Sequence, residues 1–143
     1  MVADPLGDLA TENGTLSVWE VGDDRSNLDR LLAALAANRD YLANVDYVVF
    51  DQRHLRRVGI EIRQSVGDTP DEGVNALWHR DLCHVSGHRL VQLTQAILKT
   101  GQTERRNREE VRHLLRRAVQ AGMVSVGRLR PSVAAEIARA TGR

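Results

Sequence analysis

The stretch TPDEGVNALWHRDLCHVSGHRLVQLTQAILKTG, Thr69 to Gly101, decides the architecture. Thr69 and Glu72 stand three apart in a capping-box pattern, and Pro70 falls at the first helical position; these are two independent start signals. Gly101 supplies a stop. Read as one helix from Pro70 to Thr100, the segment spans about 45 Å at 1.5 Å per residue. Gly87 is its weak point, at about 1 kcal/mol relative to alanine. A helix of that length commits the chain to a mainly α architecture.

The flanks extend this reading. Ser26 is a good N-cap, with Asp29 in the first turn, and Leu28, Leu31, Leu32, Leu35 and Leu42 fall at helical spacing. Ala33, Ala34, Ala36 and Ala37 cover much of the rest, so this helix can be approached from two directions and is central or forms an oligomer contact. Residues 45–50 (VDYVVF) are apolar and β-rich, and Asp51 caps a short helical turn through Leu55 that ends near Gly59. Residues 15–21 and 58–63 alternate in polarity, which predicts two short strands that pair as a ribbon. Downstream, Thr103 or Asn107 caps a helix with Glu110 three after Asn107. Val111, Leu114, Leu115, Ala118 and Val119 form its apolar face, and Gly122 ends it. Pro131 opens a last helix through Ala140 that buries Val133, Ala134 and Ile137. The expectation is a bundle of four to five helices with a short two-stranded β ribbon of residues 15–21 and 58–63. Residues 1–14 read as a flexible tail, and residues 15–143 as a single helical domain with a basic subregion, 104–143.

Composition removes whole classes. Hydrophobic residues at 42% and charged residues at 27% exclude wholesale disorder. Cys83 is the only cysteine, so no intramolecular disulfide and no multi-cysteine zinc module can form, which fits a reducing cytoplasm. The longest strongly apolar run, Leu31 to Ala37, is far short of the ~20 residues that cross a bilayer, so no membrane partner is expected. Lys99 is the only lysine, and no GxxxxGK[ST] phosphate loop is present. Aromatic residues are 3%, too few for a base-stacking platform. No cofactor motif occurs.

Charge is unevenly distributed. Residues 1–103 hold 10 basic and 15 acidic side chains, net −5, whereas residues 104–143 hold 10 arginines and 4 glutamates, net +6. Such a split implies an anionic partner for the C-terminal part or pairing between the two halves of the molecule. Arg105, Arg106, Arg112, Arg116, Arg117, Arg128 and Arg130 are the candidate phosphate contacts. Against them stand Glu109 and Glu110, placed three or four residues from Arg105, Arg106 and Arg112 as a salt-bridged solvated face would require.

Three weaker constellations remain. His84 and His88, four apart on the expected long helix, could grip a metal from one face given a third ligand. Arg108 and His113, with four residues between, resemble the spacing of the HEPN ribonuclease motif, which implies phosphate holding by the arginine and proton transfer by the histidine. With five histidines and abundant arginine the same spacing also arises by accident, so it carries little weight. Asp51 followed by Glu61-Ile62-Arg63 resembles metal-dependent nucleases, with arginine where those use lysine. The leading expectation is therefore a non-enzymatic helical module. It contacts nucleic-acid phosphates through its arginine-rich C-terminal face, as a small subunit of a nucleoprotein or regulatory complex. The alternatives are a protein–protein or homo-oligomerisation module without nucleic acid, and a small helical ribonuclease or metal-dependent hydrolase.

Overall fold

A computed structural model describes residues 2–3, 15–85 and 87–141. Apart from Val2 and Ala3, the tail expected over residues 1–14 lies outside the described residues. In chain order the elements are β1 (Val2–Ala3), β2 (Leu16–Trp19), α1 (Leu28–Ala37), β3 (Val45–Val49), α2 (Arg53–Arg57), β4 (Glu61–Gln64), α3 (Glu72–Leu77), β5 (His79–Cys83), α4 (His88–Thr100), β6 (Gln102–Arg106), α5 (Arg108–Gln120) and α6 (Pro131–Thr141). The protein is mixed α/β, which overturns the mainly helical bundle with one ribbon.

The correction turns on the stretch 69–101. A helix does start here, but at Glu72 rather than Pro70 and capped by Asp71, which accepts the Val74 N–H, in place of the expected Thr69–Glu72 box; and the expected 30-residue helix is three elements, α3, β5 and α4. His84 (φ 62°) and Gly87 (φ 52°) turn the chain after β5 in a way no continuous α-helix allows. β5 is a strand because it has partners on both sides. It pairs antiparallel with β2 (Leu16↔Leu82) and with β4 (Ile62↔Leu82). The expected ribbon strands 15–21 and 58–63 both exist in part, yet neither pairs with the other; β5 lies between them.

The chain divides into two compact units, each assembled from three stretches. The first comprises Met1–Val21, Asp46–Val66 and Trp78–Glu104. Its sheet runs in the order β4-β5-β2-β1-β3-β6. The two-residue β1 links the ladder β4-β5-β2 to β3-β6 through antiparallel pairs with β2 and β3. Leu16, Val18, Leu82 and Val48 meet Leu55 of α2 and Leu93 and Ile97 of α4 in one aliphatic core, with Ile62 packed at its margin. Trp19 and His79 occupy the other side of the β2–β5 pair, ring edge against ring face at 4.6 Å.

Asp51 starts α2 much as expected. Its carboxylate accepts the Arg53 backbone N–H at 2.9 Å and the Arg53 guanidinium. These bonds, side chain first, lower the Asp51 pKa to about 2. At the end of α4, Gly101 is required by space. A Cβ there would sit 2.6 Å from the Ile97 carbonyl oxygen and 2.7 Å from Val48 Cγ2. Gly101→Ala is therefore expected to cost about 1–3 kcal/mol by overpacking, read as a lowered denaturation midpoint at unchanged m-value.

The second unit comprises Gly22–Val45, Gly67–Leu77 and Arg105–Arg143 and contains α1, α3, α5 and α6. Seven of the ten residues of α1 are buried, and it packs on both α5 and α3, as the central position read from its leucines and alanines requires. The helix is shorter than expected. It starts at Leu28 with Asn27, not Ser26, at the N-cap position and no side-chain cap bond, and it stops before Leu42. The capping box of α5 is as read: the Asn107 side chain accepts the Glu110 N–H at 2.9 Å, and Glu110 returns the bond at 2.8 Å. Val111, Leu114, Leu115 and Ala118 are buried, as are Val133 and Ile137 of α6.

Around Pro70 the chain folds into a buried polar knot. Thr69, Asp71 and Asn75 are buried, and the Asn75 side chain bonds both the N–H and the carbonyl of Thr69 at 2.8 Å. Asp71 accepts the Val74 N–H and takes Arg30 of α1 through two parallel bonds, at 2.8 and 2.9 Å. This knot locks the α3 start onto α1.

Candidate polyanion interface

The C-terminal arginines end in carboxylates of their own unit. Arg106 and Arg117 both reach Asp29 of α1, at 3.5 and 3.8 Å. Arg130 lies 3.5 Å from Asp40, and Arg128 lies 3.4 Å from Glu72 while donating to the carbonyls of Pro70 and Thr69. Arg112 binds Glu109 within α5. The charge split of the sequence is thus the pairing between halves that it implied. Acids from 22–45 and 67–77 meet arginines from 105–143, and the pairing stays inside the second unit. Most of these pairs are exposed, worth about 0–1 kcal/mol each, so they set where charge is visible more than how stable the unit is.

Arg105 is exposed on β6. One of the seven candidates stands apart. Arg116 has no ion pair among the described residues, and the buried Nε–H groups of Arg112 and Arg116 have no hydrogen-bond partner. A cleft of about 320 Å³ opens between Asn38, Thr69–Pro70 and Arg128–Pro131, but both arginines on its rim are engaged with Glu72 and Asp40.

The candidate chemistries come apart in space. His84 sits at the bend after β5 with Nε2 3.6 Å from Glu61, whereas His88 opens α4, so the two do not share a helix face. No group of three or more His, Cys, Asp or Glu suited to a metal occurs among the described residues. Arg108 pairs with Glu136 at 2.9 Å, and its backbone N–H bonds Asn44. His113 instead faces Glu109 at 3.3 Å. The Glu109 carboxyl is held below its ordinary value, first by Arg112 and then by the nearby His113 and Arg116 charges. Asp51 is spent on Arg53, and Glu61 on Arg63 and His84. His79 is buried and shares a 2.7 Å hydrogen bond with Ser65.

The surface that the sequence reading missed lies in the first unit. α2 (RHLRR) and α4 (HRLVQLTQAILKT) pack on each other over the aliphatic core and contain no carboxylate. Arg53 is tied to Asp51. Arg56, Arg57, Arg89 and Lys99 are exposed and carry no ion pair among the described residues. The signal was present in the sequence: residues 52–60 and 82–103 contain no acid. It was masked by the larger arginine count downstream. Neither helix carries Phe, Tyr or Trp. Comparison with family models, with curated proteins and with solved structures found no match.

Proposed function

We propose that this protein is a non-enzymatic binding module that docks on the phosphate backbone of a nucleic-acid duplex through the α2–α4 layer. The observation that carries this is the set of four cations, Arg56, Arg57, Arg89 and Lys99, unpaired among the described residues, on two helices free of carboxylates. Cations with no acid of their own to leave meet phosphate without first breaking an internal pair, whereas Arg106, Arg117, Arg128 and Arg130 would have to release Asp29, Glu72 or Asp40. The lack of Phe, Tyr and Trp on the layer favours backbone contact over base stacking, and so a duplex over a single strand. Arg108 and His113, the candidate catalytic pair, are held by separate acids, Glu136 and Glu109, which supports binding over turnover.

The test is fluorescence anisotropy with mixed-sequence DNA and RNA duplexes, and with single strands of equal charge, between low and physiological salt. Engagement of four phosphates predicts a log–log salt slope of about −3 to −4. The nucleic acid is expected back at full length. Failure to bind any duplex at low salt removes the proposal.

A further inference from the structure

The first unit also presents an open sheet edge. Among the described residues, β4 is terminal in the strand order and pairs with β5 on one side only. A free edge strand displays unpaired N–H and C=O groups, and proteins blunt such edges with short strands, charges, proline, bulges or a covering element. β4 is short and charged but has no proline, and its two charges are of opposite sign, so they do not repel a second copy in every register. Its sequence is Glu61-Ile62-Arg63-Gln64, an acid and a base two residues apart.

The pattern matches itself. In an antiparallel pair of β4 strands centred on Ile62, Glu61 of each copy stands opposite Arg63 of the other, and Ile62 stands opposite Ile62. Sliding the pair by two residues in either direction opposes like charges, Glu61 to Glu61 or Arg63 to Arg63, which is unfavourable. Both faces of the strand agree. Ile62 shares a row with Leu82 and Leu16 on the core side and packs against that core. Glu61 and Arg63 alternate onto the other side, 52% and 61% exposed. There they share an exposed 3.3 Å contact with each other, Glu61 also lies 3.6 Å from the exposed His84, and Arg63 stands opposite Asp81 of β5; the Glu61–Arg63 contact can change partner without leaving a buried charge.

We propose that two copies of this chain join through β4, edge to edge and antiparallel, into one continuous sheet. The two-fold axis of such a pair is normal to the sheet, so both α2–α4 layers fall on the same side and their cations form one longer basic surface. Dimerisation and phosphate contact use different side chains, so either can fail without the other.

Sedimentation velocity of the full chain over a dilution series tests this. The wild type is expected to be a dimer that dissociates on dilution and as salt is raised. Glu61→Arg alone and Arg63→Glu alone each set like charges across the edge, and each is expected to weaken dimerisation at least tenfold. The double variant Glu61→Arg/Arg63→Glu restores the complementarity and is expected to recover the wild-type dimer. Circular dichroism checks that all three variants keep the fold, as exposed positions allow. A wild type that stays monomeric overturns the proposal. So do single variants that dimerise like the wild type, or a folded double variant that does not recover.

Discussion

Asp71→Ala is expected to cost about 3–5 kcal/mol of folding free energy, because removing one partner of a buried ion pair leaves the other charge uncompensated. Asp71 is 1% exposed and receives Arg30 through two bonds, along with the Val74 N–H. Arg30 keeps some contact with water, its side chain being 32% exposed, which places the expected loss toward the lower end of that range. Against a typical total of about 5–15 kcal/mol, this is a large fraction of the stability. Chemical denaturation monitored by circular dichroism reads it directly. An Asp71→Ala midpoint close to the wild type would show that the knot does not hold α3 to α1.

The same pair sets an acid limit. Burial by itself would raise the Asp71 carboxyl; the hydrogen bonds from Arg30 and Val74 outweigh it, so the carboxyl stays below its ordinary value. In the unfolded chain the group titrates near 3.9. Between that value and the lower folded one, the unfolded state binds more protons, so stability rises with pH. The contribution is complete above about pH 5 and is lost as pH falls through the folded value. Asp71→Asn is expected to flatten the acid limb of the stability curve while lowering its plateau. An acid limb as steep as that of the wild type would assign the transition to other carboxylates.

The second large effect concerns binding. Reversing three charges of the α2–α4 layer, Arg56→Glu/Arg57→Glu/Arg89→Glu, is expected to weaken duplex affinity on the order of 100-fold or more at low salt. Each lost phosphate contact also brings the salt slope closer to zero by about 1. All three side chains are exposed and unpaired among the described residues, so the fold is expected to survive within the usual tolerance of surface substitutions. The control neutralises the paired arginines instead. Arg106→Gln/Arg117→Gln/Arg130→Gln removes three C-terminal charges and frees Asp29 and Asp40. It is expected to change affinity by less than about threefold, since those cations are already answered internally. If the control loses binding and the reversal does not, the interface lies on the C-terminal arginines.

Particular residues show why the candidate site was only half legible. Counting arginines correctly found the basic C-terminal segment and even the alternative of internal pairing. It could not tell which of Arg106, Arg117, Arg128 and Arg130 would meet Asp29, Asp40 or Glu72, because those acids lie roughly 55 to 90 residues away in sequence. The pairs within α5 were readable, since Glu109 stands three from Arg112 and four from His113 on one helix. The His84–His88 pair failed for a related reason. Its spacing has meaning only on a helix, and a strand followed by two positive-φ residues occupies that place.

By itself the sequence determined the features decided within a few residues of chain. These are the Asn107–Glu110 capping box, the Pro131 start of α6, the Asp51 turn into α2, the stop at Gly101, and the aliphatic stripes of α1 and α5. A cap or a 3.6-residue stripe acts over one or two turns, so its physics is complete in a local window. The tertiary structure alone decided that His79–Cys83 is a strand, that the polar run Gln102–Arg106 joins the sheet, and which cations remain unpaired. A strand is stabilised by ladder partners, and a charge is answered by a counter-charge, that the chain brings in from far along its length.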